Sequence, residues 1–184
     1  MKSIDKYLFQ ALDNYPYSLE ETVESLDYAL SYDAKNTMAL CLYGRVYSEQ
    51  LLRYEEAKGY FEQAIAVDIH ALEVYPHYIQ TLLVNEDFEE AEKLITFALT
   101  IKGINKAEVL LKTVLLLERK GEIKKALKTL KEVKLLSFTN DNSYEMEEIE
   151  KRLKAKKELL APKKKAKNKK GNDSKSKKKE SKKK

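Results

Sequence analysis

An all-α solenoid is the fold class this 184-residue sequence predicts: about four antiparallel helix pairs, one more helix capping the C-terminal end, and a disordered tail. Three observations predict it. A small–large–small triplet of residues recurs four times with a near-constant period. A second helical segment precedes each copy. The last stretch of the chain is mostly lysine and holds no aliphatic side chain larger than alanine.

The four triplets are Thr22, Leu26 and Ala29; Ala57, Phe61 and Ala64; Ala91, Ile95 and Ala98; and Ala126, Leu130 and Val133. Their first members are spaced by 35, 34 and 35 residues. Positions i, i+4 and i+7 share one face of a helix. A small residue lets a neighbouring helix cross closely, and the large one fills the space between helices. A unit of this size that recurs in register is the sequence signature of stacked repeats.

The elements follow in order. A helix over about residues 3–13, with Tyr7 and Phe9 as candidate anchors, ends at Asn14-Tyr15-Pro16. Ser18-Leu19-Glu20-Glu21 reads as a capping-box start for its partner. The second pair opens with a helix over about 37–50, with Leu40, Tyr43, Gly44 and Tyr47 on one face. The third opens over about 73–85, with Tyr75, Tyr78, Ile79 and Leu82. The fourth opens over about 106–119, with Leu110, Thr113, Val114 and Leu117, and Gly121 breaks the chain after it. The repeats thus span about 3–34, 37–70, 71–104 and 105–138, within a unit of residues 1–138. Asn140-Asp141-Asn142-Ser143 is a cluster of N-cap residues. It leads into a charged helix over 144–160, apolar at Met146, Ile149, Leu153 and Leu160, which Pro162 stops. Residues 139–161 therefore form the polar end cap a solenoid needs. Residues 162–184 cannot bury enough apolar area to offset the entropy of ordering and are expected to be disordered.

The series Leu40, Tyr43, Gly44, Tyr47, Ala57, Phe61, Ala64 resembles the tetratricopeptide repeat family, with one extra residue in the turn before Tyr54-Glu55-Glu56-Ala57. The resemblance covers roughly residues 3–138. Thr22 stands where the first pair would carry alanine, and Ala34, Ile69, Gly103 and Ser137 stand where proline usually follows the second helix. The resemblance implies a protein- or peptide-binding module whose first helices line a concave groove. The matching positions here are Cys41, Arg45 and Ser48; Glu73, Gln80 and Leu83; and Glu108, Leu111, Leu115 and Glu118. The family's chaperone-binding members hold a C-terminal carboxylate with cationic and amide side chains. Only Arg45 is cationic in this set, so that activity is not expected. Glutamates beside leucines favour instead a ligand with spaced Lys or Arg and apolar anchors.

Charge divides the chain. Residues 162–184 hold 13 lysines against Asp173 and Glu180, a net +11, and residues 1–161 carry −6. The tail lysines (Lys163, Lys164, Lys165, Lys167, Lys169, Lys170, Lys177, Lys178 and Lys179 among them) lack arginine and aromatic neighbours, which suits diffuse phosphate attraction rather than base readout. Association with nucleic acid or the ribosome through this tail is the alternative to a groove-binding scaffold. The single cysteine, Cys41, permits no intrachain disulfide and fits a reducing compartment. The N-terminus lacks the apolar core of a signal peptide, and no run is long enough to span a membrane. The expectation is a cytoplasmic protein. Cys41 has no histidine in helical reach, His70 and His77 lack companion ligands, and the five glycines form no phosphate-cradling loop. No enzyme activity, metal, cofactor or small-molecule substrate is expected.

Overall fold

The computed structural model describes residues 5–137 and 143–160. Four helix pairs follow one another: α1 (Lys6–Asn14) with α2 (Leu19–Tyr32), α3 (Thr37–Arg45) with α4 (Tyr54–Val67), α5 (Val74–Val84) with α6 (Phe88–Ala98), and α7 (Lys106–Arg119) with α8 (Ile123–Leu136). The last helix is α9 (Ser143–Leu160). No strand occurs among the described residues. Each helix packs against its own partner, and the first helices α1, α3, α5 and α7 also touch in series. This is an all-α solenoid. The Asn140-Asp141-Asn142 cap and the tail from residue 162 lie outside the described residues.

All twelve triplet residues are buried, none more than 5% exposed. Thr22 does the work of alanine because its hydroxyl donates to the Ser18 carbonyl at 2.6 Å, which satisfies its polarity within the helix. The large middle residue of each triplet is matched by its opposite number. In the second pair a Cβ on Gly44 would stand 2.6 Å from the Phe61 ring, so glycine is required where that ring seats. The repeat-equivalent residues are Ile79 with Ile95 and Val114 with Leu130, all buried, so a larger first member accompanies a smaller second one.

The helix starts divide by type. Asp5, Asn36 and Asn105 cap α1, α3 and α7 through side-chain oxygens that accept from the first-turn amides. The second helices α2, α4 and α6 instead carry two glutamates each in the first turn, which suits the positive end of the helix. The turns within the second, third and fourth pairs share a left-handed residue at Leu52, Glu86 and Gly121, with φ of 55°, 65° and 76°. Five-residue bonds close two of these turns, Asp87 N–H to Leu82 O and Glu122 N–H to Leu117 O. In the second pair the extra residue is absorbed as a π-type turn over Val46–Gln50, and the closing bond becomes Arg53 N–H to Tyr47 O.

Four expectations are corrected. Tyr7 and Phe9 are exposed, and Leu8 and Ala11 anchor α1 instead, because they are the residues facing α2 and α3. Ser18 makes no side-chain cap bond. In α7, Leu110, Thr113 and Leu117 are only half-buried, while Val109 and Leu116 are buried against the preceding pair α5 and α6, and Leu111 against α9. Leu160 is exposed at the end of α9.

Candidate functional site

The ten candidate groove positions separate into rows that the repeat offset defines. Arg45, Gln80 and Leu115 are 35 residues apart, and all three are half-buried on the face lined by the first helices. Ser48, Leu83 and Glu118 share the same offset, and each is under 10% exposed. Cys41 and Leu111 are buried as well. The physical reason is helical geometry. The rows through residues 41 and 48 turn toward the neighbouring first helix, and the row through residue 45 lies further round toward the opening. An open apolar floor at Leu111 is therefore corrected: this side chain packs with Met146, Ile149 and Leu153 of α9. Burial pushes the Cys41 thiol up to about 12, which leaves it a protonated packing residue. Glu73 is exposed at the start of α5, and Glu108 is half-buried at the start of α7.

At the N-terminal end of this face, Arg45 is already engaged. Its Nε lies 3.2 Å from Glu49, and its guanidinium stands over the Tyr15 ring at 4.6 Å. Glu49 also accepts from Tyr15 and lies 3.7 Å from His77 Nδ1 of α5. The His77 contact leads the causes that hold the Glu49 carboxyl down at about 2 against the opposing effect of burial, with Tyr15 and Arg45 adding to it.

At the C-terminal end the face opens into a cleft of about 480 Å³ between α5, α7 and α9. Four expected residues meet there: Gln80, Leu83, Leu115 and Glu118. Four others were not marked: Val84, Arg119, Arg152 and Lys156. Glu118 receives a two-pronged contact from Arg152, Nε and Nη2 each at 2.8 Å, and a third bond from Lys156 at 2.7 Å. The Arg152 bond is the first cause of a Glu118 carboxyl held near 2, outweighing burial, and Lys156 follows. Lys112 donates to Gln80 Oε1 at 3.0 Å. The lining thus sets one carboxylate against Arg119, Arg152 and Lys156. The expectation of an acidic wall is corrected here: Glu118 is neutralised, and the cleft is cationic on balance.

Two signals pointed toward the unmarked residues. Val84 and Arg119 stand 35 and 70 residues after Glu49, in one repeat row. Met146, Ile149 and Leu153 stand 35 residues after Leu111, Val114 and Glu118, and all six are buried. α9 is thus a fifth first-type helix, and its Arg152 and Lys156 belong to the same face as α7. The tail lysines Lys163 to Lys179 lie outside the described residues.

No family model matches this chain, and no curated protein matches it. Among solved structures it is similar to YrrB, whose crystal structure is described as that of a TPR protein with an unusual peptide-binding site. The TM-score is 0.60 at 21% identity, over 84% of this chain and 77% of that one. The fold is tetratricopeptide-like. The structural likeness and the residue resemblance reach that fold by separate routes. Among the described residues no helix is long and apolar enough to cross a membrane, and no group of three or more His, Cys, Asp or Glu could hold a metal ion.

Proposed function

We propose that this chain is a non-enzymatic, cytoplasmic interaction module that binds a segment of a partner protein in the α5–α7–α9 cleft. The observation that carries the reading is the cleft itself. It offers apolar surface at Val84 and Leu115, over the buried Leu83, beside Arg119, Arg152 and Lys156. Such a surface suits a peptide with one or two large apolar anchors followed by a carboxylate-bearing residue. The peptide-binding site described for YrrB is consistent with this use of the fold.

The test uses exposed positions, so that the core is untouched. Val84 and Arg119 are both exposed. Proteins retained by the full chain are identified and then offered to the Val84→Glu/Arg119→Glu variant. Partners that use the cleft are lost from the variant while helicity is kept. Partners retained equally by both proteins overturn the reading. A parallel arm with nuclease addresses the second reading, association with nucleic acid or the ribosome, which the net +11 of residues 162–184 favours. Partners that vanish on nuclease treatment alone belong to that second reading.

A further inference from the structure

Six lysines converge on a second groove, between α8 and α9: Lys124, Lys128, Lys131 and Lys134 from α8, and Lys154 and Lys157 from α9. The groove measures about 540 Å³; its other lining residues are the half-buried Leu127, the fully buried Leu130 beneath it, and two carboxylates, Glu150 and Glu158. Lys134 and Lys154 are both paired with Glu150. Among the described residues, the other four make no ion pair.

These lysines do not serve α8 itself. The second helices α2, α4 and α6 open with Glu20 and Glu21, Glu55 and Glu56, and Glu89 and Glu90. The repeat-equivalent residues of α8 are Lys124 and Lys125. A cation in the first turn opposes the helix dipole, so the local electrostatics of α8 disfavour this pair. Glu122 pairs with Lys125, which leaves Lys124 at the groove.

The earlier repeats show what meets such a surface. Lys58 of α4 is met by Asp87 and Glu90 at the start of α6, at 3.0 and 3.4 Å. Glu92 of α6 is met by Lys120, just before α8, at 2.6 Å. α4 and α6 thus each find opposite charge in the pair that follows. α9 occupies the place of a fifth first helix, and no described helix follows it. The α8–α9 groove is where the second helix of a fifth pair would lie.

We propose that this groove takes an acidic amphipathic helix of a partner protein, in the place that the second helix of a fifth pair would take. Its carboxylates would meet Lys124, Lys128, Lys131 and Lys157, and its apolar stripe would rest on the half-buried Leu127 and the aliphatic stems of the surrounding lysines. The 13 lysines of residues 162–184 repeat the sign of the groove and so do not complement it. A phosphodiester backbone would satisfy the lysines but leave Leu127 uncovered, and the groove has no aromatic or arginine side chain on which bases could stack.

The test uses the full chain at about 0.15 M salt, where screening removes most long-range attraction. The probe is a synthetic helix with leucines at i, i+4, i+7 and i+11 and glutamates on both flanks. The same helix with lysine flanks and a single-stranded oligouridylate serve as comparison probes. The acidic helix is expected to bind and to protect the amides of α8 and α9 from hydrogen exchange. In the Lys124→Glu/Lys128→Glu/Lys131→Glu variant its affinity should fall by on the order of tenfold or more. All three positions are exposed, and a triple Lys→Gln variant repeats the test should the reversal disturb α8. The proposal is overturned if the acidic helix fails to bind, if it binds the variants as tightly as the parent, or if protection falls elsewhere. It is also overturned if oligouridylate binds more tightly than the helix and loses that binding in the variants, which would make the groove a phosphate surface.

Discussion

The two ends of this solenoid share one architecture and differ in chemistry. Residues 1–100 carry 7 basic and 18 acidic side chains, whereas residues 101–161 carry 15 and 10. The interiors differ as well. Around α3, α4 and α5 the space is filled by rings: Tyr43 stacks on Tyr60 at 4.9 Å, and Phe61 on Tyr78 at 5.4 Å. Between α7, α8 and α9 the core is Leu, Ile, Val, Met and Ala. Each end also holds a carboxylate near 2 on the first-helix face, but its partners change. Glu49 is held by His77, Tyr15 and Arg45, and Glu118 by Arg152 and Lys156. Repeat position therefore dictates burial and leaves the chemistry of the exposed surface free to vary. Here that freedom places both cationic grooves at the C-terminal end.

The largest expected effect lies in what the two ends have in common. Ala91 is fully buried at a helix crossing. Ala91→Arg forces a long charged side chain into that contact and should cost several kcal/mol, on the order of the whole stability of a small domain. A denaturant melt like that of the parent would refute the repeat register.

The next effect sharpens the contrast between rings and aliphatics. Gly44→Val places a branched side chain against Phe61 and should cost up to about 3 kcal/mol. Adding Phe61→Leu reproduces the Val114 and Leu130 pairing of the fourth repeat and should recover much of that loss. The check is a double-mutant cycle by urea unfolding. If the two effects simply add, the positions do not compensate in volume.

A smaller effect separates the two carboxylates. Glu118→Gln removes the charge from three hydrogen bonds at a nearly buried site and should cost about 1 to 2 kcal/mol. The sign of the pH dependence follows from the depressed carboxyl, near 2 in the fold against an ordinary 4.5. Its stabilisation is fully present above about pH 4.5 and is lost as pH falls toward 2. The gap between parent and variant should therefore close over that window, as urea midpoints at stepped pH will show.

The smallest effect is a gain. Glu86 holds the left-handed conformation that Gly121 adopts without strain in the equivalent turn. Glu86→Gly should stabilise the protein by about 0.5 kcal/mol, because relief of the Cβ clash exceeds the added freedom of the unfolded chain. Gly121→Ala should do the reverse, and thermal melts of the two variants measure both.

Much of this fold is written locally. The bounds of α7 agree with those expected from hydrophobic period, and the four triplets mark the buried face of every second helix. Periodicity records which face of a helix is covered. It does not record the angle at which the next first helix covers it, so Leu111 and Leu115 look alike in sequence although only Leu111 is buried by α9. The cationic wall was harder to read. Arg152 and Lys156 find Glu118 across 34 and 38 residues, and no local pattern marks which of the many lysines of α9 will do so. The extra residue of the second turn was visible as an insertion. Its absorption as a π-type turn depends on the closing bond from Arg53 to Tyr47.

The central claim is that α9 belongs to the repeat array as a fifth first helix, stapled to α7 through Glu118, and so completes both grooves. Native-state hydrogen exchange on the full chain tests it most directly. The account predicts that amides around Met146, Ile149 and Leu153 are protected to a degree comparable with those of α7 and α8, and that Glu118→Gln selectively lowers the protection of α9. Free exchange throughout α9 in the parent protein, or protection indifferent to Glu118→Gln, would contradict it.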